Sequence, residues 1–266
     1  MRVDEQPVRT VTVDCFPESL ARYRDGYAIV AVDVIRATTT AVTGVVLNRR
    51  CFPTPSIEVA VPLAARLDNP LLVGELGGNM PYGFHLTNSP AALALREDVS
   101  RPMILLSTAG TKVLCAAGGG RTAVYAACLR NYTAQVRCLA ARHSKVAVIG
   151  AGTRGEFREE DQICCAWIAE RLIDAGYRPG NEQTEQLVER WSSAPLEAFL
   201  GSKSVEYLTN TGQLRDLDFI LEHIDDIDAV FPLENGEITM QPACEYVEKH
   251  DSHSSPSSWS ETLRSP

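Results

Sequence analysis

The sequence predicts an α/β fold: three α/β/α layers on a mostly parallel or mixed sheet, with glycine turns near Gly74 and Gly150 suggesting two similar subdomains. Three observations predict it. Short apolar runs of strand length alternate with helical patterns, the order of a parallel sheet covered on both faces. Those runs lack polar alternation, as strands buried on both sides do. Every charged or glycine-rich stretch follows the C-terminal end of such a run, where open α/β sheets bind ligands.

The chain is organised around Ala28–Thr40. Its apolar run ends on Asp33, Arg36 and three threonines, and Ala37–Val46 then reads as a helix. A helix N-terminus attracts anions, because its free N–H groups and dipole point at the ligand. Arg36 suits a phosphate or carboxylate held bidentately. Asp33 has no part in holding an anion, so it suggests a metal or a proton transfer; a buried salt bridge at a strand end explains the same residues equally well.

Upstream, residues 1–12 are a lead-in with a strand at Val8–Val13, and Cys15–Leu20 starts a short helix. Downstream, Cys51–Pro55 carries two prolines and reads as an edge strand or loop. Ser56 caps a helix with Val59, Leu63 and Leu67 on one face. Leu71–Glu75 is the next strand, again ending on an acid, and a long Gly, Pro and Asn loop follows to Pro90. Loops of that length are usually functional. Met103–Ser107 is a third strand, and the turn Ser107–Thr111 with Lys112 offers N–H and hydroxyl donors to a phosphate or sulfonate. Thr122–Leu129 and Lys145–Gly150 are two further strands. A helix then carries Ile163, Cys164, Trp167, Ile168, Leu172 and Ile173 inward, with Gly176 as its C-cap. Glu159, Glu160 and Asp161 favour the dipole of its first turn. Together with Glu156 and two arginines they exceed what capping needs, and Mg²⁺ takes one or two carboxylates plus substrate oxygens.

Beyond Tyr177 the signals weaken. Glu182–Trp191, Leu196–Leu200, Ser204–Thr209 and Asp216–His223 read as helices. Glu234-Asn235-Gly236 is a hairpin turn. Residues 1–249 read as a single α/β domain or two interleaved subdomains, and 250–266 as a disordered polar tail.

The 266 residues carry a net charge of −9, with 45% hydrophobic and 22% charged residues. Such a chain can bury a real core, and its charge argues against non-specific nucleic-acid binding. No signal peptide and no membrane-length apolar run is read from the sequence, so the expected location is cytoplasmic. The 8 cysteines form no C-x-x-C pair and read as reduced core thiols rather than zinc ligands.

Several blocks, in order, resemble the 2-phosphosulfolactate phosphatase family. They are Asp33-Val34-Ile35-Arg36-Ala37-Thr38-Thr39-Thr40, Gly74-Glu75 with Gly77-Gly78, Gly83-Phe84 and Asn88-Ser89-Pro90. Ser107-Thr108-Ala109-Gly110-Thr111 and Gly152-Thr153-Arg154-Gly155-Glu156-Phe157 through Glu160-Asp161 complete them, and Gly212, Asp216–Phe219 and Val230-Phe231-Pro232 match more loosely. Ala109 departs from the commoner hydroxyl-rich form of its block. The resemblance implies a Mg²⁺-dependent cytoplasmic phosphatase that converts 2-phospho-3-sulfolactate to 3-sulfolactate and phosphate, a step of coenzyme M biosynthesis. It also suggests a homodimer. On it, Arg36 and Arg154 clamp the anions, and Asp33, Glu75 and Asp161 hold Mg²⁺. Thr38, Thr39, Asn88, Ser107, Thr108, Gly110 and Thr111 bind substrate, and Glu156 or Glu159 is the general acid or base. A different hydrolase or lyase of small phosphorylated hydroxy-acids, or a non-catalytic anion-binding protein, are the other classes left open.

Overall fold

The computed structural model describes residues 8–23, 26–117, 122–152, 155–192 and 194–244. Arg154 and the polar tail at 250–266 lie outside the described residues.

The elements follow the expected alternation. β1 (Thr10–Cys15) leads through a 3-10 turn at Pro17–Arg22 to β2 (Ala28–Val32) and α1 (Ala37–Val46). Next come β3 (Cys51–Thr54), α2 (Ile57–Ala64), β4 (Leu71–Gly74), α3 (Pro90–Ala94), β5 (Met103–Leu106) and α4 (Gly110–Ala117). Then follow β6 (Val124–Ala127), α5 (Tyr132–Arg142), β7 (Lys145–Gly150), α6 (Glu159–Asp174), β8 (Arg178–Pro179) and α7 (Glu182–Trp191). After a 3-10 turn at Leu196–Phe199 come α8 (Lys203–Asn210), α9 (Leu214–Glu222), β9 (Ala229–Glu234), β10 (Glu237–Ile238) and β11 (Gln241–Pro242).

The sheet order is β4-β5-β3-β10-β9-β6-β2-β7-β1-β8, with β11 on β9. Two parallel groups, β4-β5-β3 and β6-β2-β7-β1-β8, are joined by the β9–β10 hairpin. Asn235 and Gly236 both take positive φ at its tip, as an Asn-Gly hairpin turn requires. The three pairings from β3 through β10 and β9 to β6 are all antiparallel, so the two parallel groups run in opposite senses. α1 touches β6 of one group and β3 and β5 of the other, and α4 touches β2, β6 and β3. These two helices lie between the groups.

β2 shows how the sequence builds the layers. Ile29 and Ala31 join one core with α1, α4, β4 and β5, while Ala28, Val30 and Val32 join a second core with α5, α6 and α7. All five residues of β2 are buried, which is why the run carries no polar alternation. In α6, Ile163, Cys164, Ile168 and Leu172 are buried as the spacing predicts, and Gly176 takes φ +90° just past the helix end.

Two elements differ from expectation. β3 is an inner strand despite Pro53, because β10 pairs with it only at Cys51 and leaves most of that side without a second strand. In α2, Ala60 is the residue that packs inward, while Val59 and Val61 are exposed and Pro62 sits inside the helix. All eight cysteines are free. Burial raises the Cys15, Cys128 and Cys138 thiols to about 11, so they stay protonated and unreactive at neutral pH.

Candidate active site

A cavity of about 420 Å³ opens where the turns after β2, β4 and β5 meet α8. Asp33, Arg36, Glu75, Asn88 and Thr108 line it from the sequence-predicted set, and Arg158, Lys203 and Tyr207 line it unforeseen.

Asp33 sits directly after β2. Its Oδ1 accepts the Ala37 N–H at 3.1 Å, closing the first turn of α1, while Oδ2 accepts no hydrogen bond among the described residues. Burial pushes its carboxyl up to about 7, with the charges of Glu75 and Glu160 adding to the rise and the Ala37 N–H and Arg36 opposing it. The reverse-running groups do meet here. A Cβ built on Gly110 would lie 2.2 Å from Asp33 Oδ2 and 2.7 Å from Ala37 Cβ. Gly110 therefore serves close backbone approach at the start of α4 rather than the substrate contact predicted for it. Gly110→Ala is expected to push the Asp33 carboxylate aside and lower kcat/KM about a hundredfold with the fold retained, measured by steady-state turnover beside a thermal melt.

Arg36 follows the Ile35–Arg36 peptide bond, which is cis. It is buried, and its Nη1 donates to Gln213 Oε1 at 2.6 Å and forms an ion pair with Asp216, both from the start of α9. Asp216 Oδ1 also accepts Ser89 Oγ at 2.5 Å and the Ala91 N–H at 3.2 Å. One buried carboxylate thus fixes both the arginine and the end of the glycine-rich loop. Neighbouring Asn88 is buried on the cavity wall, and among the described residues its Oδ1 has no hydrogen-bond partner. A buried polar atom without a partner is costly unless a ligand satisfies it.

Both carboxylate oxygens of Glu75 accept hydrogen bonds. Its Oε1 accepts the Thr108 N–H at 2.7 Å, and its Oε2 accepts Thr108 Oγ1 and the Gly78 N–H, each at 2.8 Å. It ties the glycine-rich loop to the β5–α4 turn. Tyr207 of α8 closes the same loop from the other side by donating to Gly78 O at 2.5 Å.

Several predicted ligand residues do local work instead. Thr38 Oγ1 bonds both the N–H and the C=O of Asp33, and Thr39 Oγ1 donates to Val34 O. Ser107 and Thr111 exchange side-chain and backbone bonds at 2.9 Å across the turn that opens α4. All four are buried and off the cavity wall. Hydroxyls satisfied by neighbouring backbone shape the turn and are not free for substrate.

The predicted three-carboxylate metal site is not assembled: among the described residues no group of three His, Cys, Asp or Glu side chains is placed to hold a metal ion. Asp161 is buried off the cavity wall and accepts the Val34 N–H at 2.8 Å. Burial and the charges of Asp33 and Glu160 hold its carboxyl well above the usual range, and burial likewise raises Glu160. Asp33 and Glu75 remain on the cavity, which fits a cation bound by one or two carboxylates.

Glu156 does not line the cavity. It pairs with Arg158 Nη1 at 2.8 Å and with Lys203, which hold its carboxyl below the usual range, so it is a poor proton donor. Glu159 stands in the first turn of α6, also off the wall. Arg158 has a signal in the sequence, since it belongs to the charged stretch after β7. Asp216 lies in a loosely matching block of the family resemblance, while Lys203 and Tyr207 have no signal beyond helical patterning.

Cations and a buried acid set around one cleft of an α/β sheet are the means by which a phosphoric monoester hydrolase holds an anionic ester. A family model described as 2-phosphosulpholactate phosphatase matches residues 14–236. The chain belongs to the 2-phosphosulfolactate phosphatase family. It is 32% identical to a Carboxydothermus hydrogenoformans protein over 206 residues, covering 77% of this chain and 85% of that one. With a Thermus thermophilus protein the identity is 33% over 213 residues, 78% of this chain and 87% of the other. A Pseudothermotoga lettingae protein is 33% identical over 148 residues, 56% of this chain and 63% of the relative. All three carry the name "Probable 2-phosphosulfolactate phosphatase". Among the described residues no helix is long and apolar enough to cross a membrane.

Proposed function

We propose that the chain hydrolyses 2-phospho-3-sulfolactate to 3-sulfolactate and inorganic phosphate, with Mg²⁺ as cofactor. The observation that carries the reading is the convergence of Asp33 and Arg36 with the unpartnered Asn88 Oδ1 on one cavity, in a chain whose relatives bear that substrate's name. With the reaction come the expected place in coenzyme M biosynthesis and a cytoplasmic location.

The donor chemistry suits a hard cation. Among the described residues Asp33 Oδ2 accepts no hydrogen bond and Asn88 Oδ1 has no partner, and Glu75 stands on the same wall. Mg²⁺ bound there would neutralise phosphoryl charge and acidify a water. Asp33 would hold the cation, losing its proton as it does so. Arg36 keeps its remaining guanidinium donors for phosphoryl oxygens, because Asp216 and Gln213 occupy only Nη1. Phosphoryl transfer depends mainly on such positioning and charge stabilisation.

The test is phosphate release from racemic 2-phospho-3-sulfolactate, with Mg²⁺ and with EDTA, beside 2-phospholactate and p-nitrophenyl phosphate. Fast release from phosphosulfolactate that EDTA abolishes is the expected result. Release only from another ester would overturn the substrate, and release unaffected by EDTA would overturn the cofactor.

A further inference from the structure

We infer that Arg158 and Lys203 form a second anion subsite, which takes the sulfonate of the substrate while Arg36 takes its phosphate. The inference rests on the phosphatase reading.

The cavity carries two sets of cations with separate counter-ions. Arg36 is matched one for one by Asp216, and both are buried. Arg158 and Lys203 both line the cavity but, among the described residues, share a single carboxylate, Glu156, which does not. Within that trio one positive charge is left over. Glu206, three residues along α8 from Lys203, also lines the cavity but is exposed and forms no ion pair with either. Arg158 is 9% exposed, and among the described residues its buried Nε has no hydrogen-bond partner. A guanidinium with an idle donor beside an ammonium matches an oxyanion that accepts from both. Glu156, held ionised by the pair, aligns the two cations instead of competing for the wall.

Charge placement of this kind selects substrates by what surrounds the ester. An ester lacking the sulfonate leaves the one surplus charge of the Arg158–Lys203–Glu156 trio unmatched and the mostly buried Arg158 without its anion, which costs affinity. The cavity should therefore prefer 2-phospho-3-sulfolactate over 2-phospholactate, which keeps the phosphate and carboxylate but lacks the sulfonate.

The experiment compares kcat/KM for these two esters in the wild type, Lys203→Gln and Lys203→Arg, with a calorimetric titration of 3-sulfolactate into each protein. The Lys203 side chain is 64% exposed, so the substitutions do not threaten the fold. In Lys203→Gln the preference for the sulfonated ester should fall about tenfold, 3-sulfolactate should bind correspondingly more weakly, and Lys203→Arg should restore most of both. A preference unchanged in Lys203→Gln, or absent from the wild type while both esters are hydrolysed, would overturn the subsite and leave the phosphatase reading standing. Absence of phosphate release from either ester would count against that reading instead. The titration then decides the subsite: weaker 3-sulfolactate binding in Lys203→Gln upholds it, and equal or no binding overturns it.

Discussion

Asp33→Asn is expected to remove turnover and at the same time to stabilise the protein at alkaline pH. The amide oxygen can still accept the Ala37 N–H, so the first turn of α1 keeps its cap. What is lost is a buried negative charge that burial makes expensive. The folded protein holds the Asp33 proton up to about pH 7, whereas the ordinary value is 3.8. The fold thus binds a proton more tightly than the unfolded chain. Stability from this group is full below pH ~4, falls as pH rises towards 7, and is flat above. The loss amounts to at most about 4 kcal/mol, and less as the neighbouring acids share the titration. Urea unfolding at pH 5 and pH 8 without divalent cation should show that slope in the wild type and a shallower one in Asp33→Asn. Turnover should fall at least about a thousandfold, the scale of losing a group that holds a catalytic cation. A variant that keeps wild-type turnover would remove Asp33 from the centre of the site.

Asp216→Ala should damage both stability and catalysis, although Asp216 is absent from the cavity wall. The substitution strands the buried Arg36 guanidinium and leaves the Ser89 hydroxyl and the Ala91 N–H without their acceptor. Removing one partner of a buried ion pair costs about 3–5 kcal/mol. For a chain of this length that lowers Tm on the order of 10 °C. Turnover should fall about a hundredfold, because Arg36 and Asn88 both lose their placement. The double replacement Arg36→Met with Asp216→Leu separates the two effects. It should recover part of the stability, as well-packed apolar residues do in place of a buried ion pair, and none of the turnover. Thermal melts beside steady-state kinetics check both.

Much of this site is legible in the amino-acid sequence. The run Ala28–Val32 is readable because both faces of β2 are buried, and Asp33 and Arg36 stand out as charges at its end. The Gly74–Pro90 loop and the Thr108 turn are readable from their glycines and hydroxyls, and Asn235-Gly236 marks a hairpin. What escapes has physical causes. Thr38, Thr39, Ser107 and Thr111 resemble ligand donors because spacing does not reveal whether a hydroxyl is already satisfied by its own turn. The α8 wall resembles an ordinary solvent face, since Lys203 and Tyr207 lie on a short amphipathic helix. Asp216 resembles a first-turn acid favouring the helix dipole. The opposite senses of the two parallel groups depend on the long-range pairings of β3, β10, β9 and β6, which no local pattern encodes.

The most direct measurement is a crystal structure of the chain grown with Mg²⁺ and 3-sulfolactate. The predicted result is a metal ion against Asp33 Oδ2, with the product in the same cavity and its sulfonate between Arg158 and Lys203. A metal and product bound elsewhere, with Asp33 and Arg36 untouched, would contradict the assignment of this cavity as the phosphatase centre.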